Sequence, residues 1–254
     1  MISWDKKIER ANKLSRKDSP ARELLGAYIK VAEFQKTISR GFNGIEHPDV
    51  RSLLRFLPEL KKLVKDLSAA PLQAATAELG DDAERWSDLL LKHWEQDSDI
   101  QSPAQAFLAY VLLQPYAQHV TEKMNLSGTS TSARQCPACN NAPQLSILRE
   151  FNNGARRSLL CSLCSTEWDF LRVLCPNCGE QHNEKLPVFT AEEFQQVRIE
   201  GCDTCKSYIK CIDLSKDGFA VPPVDDLATL SLDLWAQEQG YARPQPNMFL
   251  LPEK

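Results

Sequence analysis

CPACNNAPQLSILREFNNGARRSLLCSLC, residues 136–164, and CPNCGEQHNEKLPVFTAEEFQQVRIEGCDTC, residues 175–205, decide the fold of the second half of this 254-residue chain. Each stretch opens and closes on a Cys-x-x-Cys pair. Two residues between the thiols let a tight turn aim both sulfurs at one point, and two such pairs complete a tetrahedral four-sulfur site without another ligand. In CPAC and CPNCG the proline stiffens the turn, and Gly179 accepts the positive φ that follows it. Between the first two pairs Leu145, Ile147 and Arg149 alternate with their neighbours and Asn153-Gly154 supplies a turn, so a hairpin brings the pairs together. The plan recurs with 23 spacer residues in place of 21. Both spacers exceed the usual ~15–20 of zinc ribbons, which longer hairpin arms absorb. Each copy is followed by a strand with an early aromatic, Trp168 in STEWDFLRVL and Tyr208 in SYIKCIDL.

Sequential pairing puts Cys136, Cys139, Cys161 and Cys164 at one metal ion and Cys175, Cys178, Cys202 and Cys205 at a second; crossed pairing is the alternative. Zinc and iron both suit four thiolates. A closed site of this kind supplies folding energy and needs no catalytic role. Thioredoxin-like chemistry uses a single pair at a helix start and fits four pairs poorly. The ninth cysteine, Cys211, sits mid-strand and reads as a small buried side chain. His182 follows Cys178 but competes with a full thiol set, and His47, His93 and His119 share no motif. Asp225-Asp226 is explained by a helix start more simply than by acid–base work. With no phosphate loop, no GxSxG and no HExxH, the chain is not expected to be an enzyme.

Working outward, residues 1–130 lack cysteine and read as a helical bundle. Ser19-Pro20 suits a helix start, and ARELLGAYIKVAEFQKTISRGF stripes Leu24, Leu25, Tyr28, Val31 and Ala32 along one face, broken only by Gln35. Similar stripes run through DVRSLLRFLPELKKLVKDL, DDAERWSDLLLKHWEQ and SPAQAFLAYVLLQPYAQHVTEKM. The Ser/Thr/Gly-rich NLSGTSTSARQ, residues 125–135, marks a boundary. The expected organisation is α+β: helical domain 1–130, tandem rubredoxin-like or zinc-ribbon modules at 131–173 and 174–222, and a C-terminal helix with a docking tail at 223–254. In that helix Leu227, Leu230 and Leu234 share a face, Asp225 is the cap and Gly240 the stop.

Net charge is −4, and residues 131–220 hold ten Lys/Arg against eleven Asp/Glu. Each four-thiolate site with a divalent ion adds about two negative charges. No nucleic acid is expected as partner. The longest apolar run, Phe107 to Leu113, falls far short of the ~20 residues of a membrane span. The charged N-terminus lacks a signal-peptide core, and clustered cysteines suit the reducing cytoplasm.

In the order CxxC, CxxCxTEW, CxxC, CDxCxxYxK, DDLATL, GYAR, residues 136–254 resemble the formate dehydrogenase accessory protein family, FdhE. The resemblance implies a cytoplasmic metal-binding chaperone or maturation factor that binds the catalytic subunit of respiratory formate dehydrogenase. It also implies rubredoxin-like iron at the eight paired cysteines, with a redox or protective role proposed for such centres. Trp168, Arg172, Asp203, Tyr208 and Lys210 stand at signature positions and are expected to support the modules. Two positions depart from the pattern: Asn140 where glycine is common, tolerable because Asn accepts positive φ, and NMF in the tail in place of NPF. The competing expectation is a zinc-ribbon nucleic-acid-binding or general protein-interaction module, and a homo-oligomer is left open.

Overall fold

A computed structural model describes residues 2–16, 21–96, 102–124, 126, 129–152 and 154–250. The helix start expected at Ser19-Pro20 and Asn153 of the hairpin turn lie outside them. The N-terminal part is all helix: α1 Trp4–Ser15, α2 Arg22–Gly41, a 3-10 segment Val50–Phe56 running into α3 Leu57–Leu67, α4 Ala70–Leu79, α5 Ala83–Glu95 and α6 Pro103–Thr121. The starts are written locally. Ser3, Asp49, Asp82 and Ser102 each accept a backbone N–H of the turn they open, satisfying donors that a helix leaves orphaned.

Helix α6 is buried almost all round and forms the hub. Val31, Phe34 and Ile38 of α2, Leu60 and Val64 of α3 and Trp86, Leu89 and Leu90 of α5 join it in one core. Each such side chain, fully buried, contributes roughly 1.5–3 kcal/mol. Pro115 inside α6 has no N–H to give the Val111 carbonyl one turn back. The Gln35 amide donates to that carbonyl, 3.2 Å away. The one polar break in the α2 stripe is thus the partner of a proline on another helix.

The second part is one six-stranded sheet: β1 Pro143–Phe151, β2 Gly154–Cys161, β3 Glu167–Asp169, β4 Val188–Thr190, β5 Val197–Cys202 and β6 Ser207–Asp213. Its order is β3-β2-β1-β6-β5-β4. Neighbours are antiparallel except β1 and β6, which pair in parallel, Leu145 opposite Lys210 through Leu148 opposite Asp213. The two modules therefore share a sheet, the first strand of one against the third strand of the other. Strand β1 is buried on both faces from Gln144 to Leu148; Leu145 and Ile147 pack with Leu160 and Leu214, and the Gln144 amide donates to Asp226 of the C-terminal segment. The apolar alternation read at Leu145 and Ile147 holds for those two residues; the side chains between them are buried as well.

The first module is not separate from the helices. Cys136, Leu159, Cys161, Leu163, Cys164, Trp168, Phe170 and Leu174 belong to the same continuous core as α2, α5 and α6. The C-terminal segment forms two helices, α7 Pro222–Ala228 and α8 Leu230–Glu238, divided at Thr229. Leu227 is buried, while Leu234 is exposed, because the break at Thr229 turns α8 relative to α7. The N-cap of α7 is Val221 and not Asp225; Asp225 stands inside the helix, where its carboxylate accepts the Val221 N–H at 2.7 Å and the Arg10 guanidinium of α1 at 2.5 and 3.0 Å. Gly240, at φ +81, ends the segment. From Tyr241 the chain runs along the sheet, where Ala242 bridges Ser207, and Phe249 packs edge to face on Phe107 and tilted on Tyr28. Among the described residues no helix is long and apolar enough to cross a membrane.

Candidate metal centres

Four knuckles of one design carry the eight thiols. In three of them the first cysteine donates its N–H to the carbonyl five residues on: Cys136 to Asn141, Cys161 to Thr166 and Cys175 to Glu180, at 2.8–2.9 Å. In all four the residue after the second cysteine has positive φ: Asn140 at 61°, Ser165 at 57°, Gly179 at 84° and Lys206 at 52°. That reversal turns the chain away and leaves both sulfurs on the inside of the turn. Asn140 holds the conformation for which glycine is commoner, at a modest local cost. Backbone N–H groups approach the sulfurs, Leu163 to Cys161 at 3.4 Å and Cys178 to Cys175 at 3.5 Å.

The hairpins bring the knuckles together in sequential pairs. Cys136, Cys139, Cys161 and Cys164 form one cluster and Cys175, Cys178, Cys202 and Cys205 the other, the sulfurs of each lying within 4.8 Å of one another. The close sulfur–sulfur contacts are 3.4–3.5 Å for three pairs of the first cluster and 3.6–3.8 Å for two pairs of the second. A tetrahedral ion with ~2.3 Å metal–sulfur bonds requires sulfurs about 3.8 Å apart. The donor set and spacing therefore fit one metal ion at each cluster, iron or zinc alike.

Surroundings differ between the two. The first cluster is held inside the helical core, with Cys164 at 0% exposure. Gln118 of α6 donates to Ser165 at 3.1 Å, and the Cys164 sulfur lies 3.1 Å from the Thr166 hydroxyl. Contacts with Cys136 and Cys139 hold the Cys164 thiol well below its ordinary range, while the contact with Cys139 pushes Cys136 up and the contact with Cys136 pushes Cys161 up. The contact with Cys136 holds Cys139 down as well, so the crowded thiols titrate as a coupled set. The second cluster lies at the surface: Cys178 is exposed and Cys205 half-buried. Burial works against ionisation of Cys205, but the Ser207 hydroxyl at 2.9 Å and the Asn177 amide at 3.5 Å bring it down to about 6. Burial pushes Cys202 up to about 12.

Cys211 is fully buried in β6, and burial pushes its thiol up. His182 is exposed and belongs to neither cluster. Of the signature residues, Trp168, Asp203, Tyr208 and Lys210 have defined partners, and Arg172 has none among the described residues. Trp168 donates to the Ala133 carbonyl at 2.8 Å, and Asp203 accepts from Lys206 at 2.7 Å and Tyr241 at 2.9 Å. Lys210 is fully buried between Asp226 and Asp233, at 3.1 and 2.5 Å. Arg243 reaches the same two carboxylates at 2.9 and 3.0 Å, Tyr208 donates to Asp233 at 2.8 Å and Asn247 to Asp226 at 2.9 Å. Burial alone would raise Asp226, but Arg243 and Lys210 hold it well below the usual carboxylate range. This two-cation, two-carboxylate network locks α7, α8 and the tail onto the sheet. Pattern reading overlooked it because its members lie far apart in sequence and each alone reads as surface charge.

Family models match both modules: the FdhE central domain over residues 135–172 and the FdhE C-terminal domain over 173–250. The chain is 39% identical over 143 residues to the Protein FdhE homolog of Aquifex aeolicus, covering 56% of this chain and 50% of the relative. It is 32% identical over 209 residues to that of Haemophilus influenzae strain PittGG, covering 79% and 66%. The aligned stretches thus span half to about two thirds of these relatives' length. The crystal structure of the FdhE protein from Pseudomonas aeruginosa superposes with a TM-score of 0.76 at 26% identity, over 100% of this chain and 98% of that one.

Proposed function

The chain belongs to the FdhE family, and from that premise we propose that it is a metal-bearing accessory protein for formate dehydrogenase which binds the catalytic subunit during its maturation and is not itself an enzyme. The observation that carries the reading is the pair of four-thiol clusters on this family's framework. With four cysteines at each cluster, an ion held there has sulfur at every corner and no position for a substrate. The eight ligands are Cys136, Cys139, Cys161, Cys164, Cys175, Cys178, Cys202 and Cys205. When bound, iron would add one-electron chemistry and zinc would add rigidity alone.

The protein's own residues divide the work. The buried first cluster joins helices to sheet, and the second presents Cys178 and Cys205 at the surface, where a client can meet it. Copurification of the metal-loaded chain with a formate dehydrogenase catalytic subunit tests the reading. The subunit is expected to be retained, and replacing Cys175 and Cys178 with Ser should lose metal and client maturation together. Absence of the subunit from the complex, with maturation unaffected when the protein is deleted, would sink it.

A further inference from the structure

A cavity of about 600 Å³ lies between the two modules, bounded by the linker that crosses from one to the other, the sheet and the tail after Tyr241. Its size is that of a small-molecule site. Five arginines from five separate segments converge on it, Arg134, Arg157, Arg172, Arg198 and Arg243, with Glu200 as the only carboxylate of its lining. Such convergence is unexpected on a chain of net charge −4.

Three of the five are committed to the framework. Arg157 and Arg198 share Glu200 at 2.7 and 2.6 Å, and Arg243 is held by Asp226 and Asp233, its Nε without a partner. Arg157 also donates to the Leu171 and Leu174 carbonyls at 2.8 and 3.0 Å, fixing the linker that carries Arg172. The other two are free to receive a guest. Arg134 spends one Nη on the Asn177 carbonyl at 2.7 Å, and Arg172 makes no hydrogen bond or ion pair among the described residues. Val173 and Val188, both exposed, add apolar wall beside them. A divalent ion on the thiolates of the second cluster, two of which border the cavity, brings about two negative charges, fewer than the five guanidiniums around it.

We propose that this cavity binds a small organic anion, its phosphate or carboxylate oxygens gripped in bidentate fashion by Arg134 and Arg172 and its body resting on the valine wall. Guanidiniums match both oxyanions in this geometry, and arginine rather than lysine at all five positions favours planar recognition over a diffuse positive field. The site is independent of which protein the chain assists.

Calorimetric titration of the metal-loaded full chain with pyrophosphate and, separately, citrate tests the proposal and tells phosphate from carboxylate. One-to-one saturation by at least one probe is expected. It should weaken by about tenfold or more in R134E and in R172E, both exposed positions whose circular dichroism should stay native. Absence of saturable binding by either probe at millimolar concentration overturns the proposal, as does binding that the R134E/R172E double variant leaves unchanged. Binding of an Asp/Glu-rich peptide that neither small anion displaces also overturns it, and would make the cavity a protein interface.

Discussion

The first cysteine cluster is surrounded by the core of the helical domain, and the second lies at the surface with one thiol exposed. Both are built from the same knuckle, with the same hydrogen-bond frame and the same reversal of φ after the second cysteine. What separates them is how far the rest of the chain encloses each: α6 and its neighbours pack on the first, while the second leaves Cys178 exposed and Cys205 half-buried. Identical local chemistry thus receives two environments, one that rewards rigidity and one that leaves Cys178 and part of Cys205 accessible.

The largest expected effect tests that asymmetry directly. Cys164→Ser empties a cluster shared with the helical core and should cost more than about 4 kcal/mol, read as a collapse of the urea midpoint of metal-loaded protein followed by far-ultraviolet circular dichroism. Cys178→Ser should cost about 1–3 kcal/mol by the same measure. Equal losses would mean that burial of the first cluster carries no stability, and the contrast would fail.

A smaller effect probes what stands in for a helical core around the second module. Asp226→Asn leaves the buried Lys210 and Arg243 short of a counter-charge, at a cost of roughly 3 kcal/mol at neutral pH. The folded Asp226 titrates below its unfolded value of ~3.9, so its contribution is complete above that pH and lost as pH falls toward the folded value. The gap between wild type and variant in urea unfolding should therefore narrow below about pH 4. A gap independent of pH would show that packing, not charge, holds the tail.

The finest comparison is knuckle against knuckle. Gly179→Ala must take up φ +84 with a Cβ and should cost about 1–2 kcal/mol. Asn140→Gly should change stability by less than about 0.5 kcal/mol, since Asn already tolerates the left-handed region. Thermal melts of the two variants side by side would sharpen the case that one turn geometry serves both clusters, and a larger loss from the Asn140 change would show that its side chain does more than permit the turn.

Much of this was legible in the sequence where the cause is local. Cys-x-x-Cys spacing, the hairpins between pairs and the helical stripes depend on neighbours within a turn or two, and the thiols meet in sequential pairs as that spacing predicts. Gln35 looked like a flaw because its reason, the missing N–H of Pro115, lies on another helix. Lys210, Asp226, Asp233 and Arg243 were opaque for the same reason: a buried charge is recognisable only when its partner is in view. The unequal burial of the two clusters belongs to this class as well, since nothing within either stretch says that α6 will lie against Ser165 and not against Lys206.

The parallel junction of β1 with β6 has a consequence of its own. It sets the third strand of one module beside the first strand of the other, so the copies are related by a step along the sheet and not by a closed two-fold. A step of this kind can repeat without limit, like tiles laid in one direction, and leaves a receptive edge at each end. Here β3 and β4, the outermost strands, are three residues long, and the Asp169 carboxylate on β3 is engaged by Arg156. Ends this short, one of them carrying a salt-bridged carboxylate, are poor templates for a further strand and stop a two-tile sheet from growing into a filament.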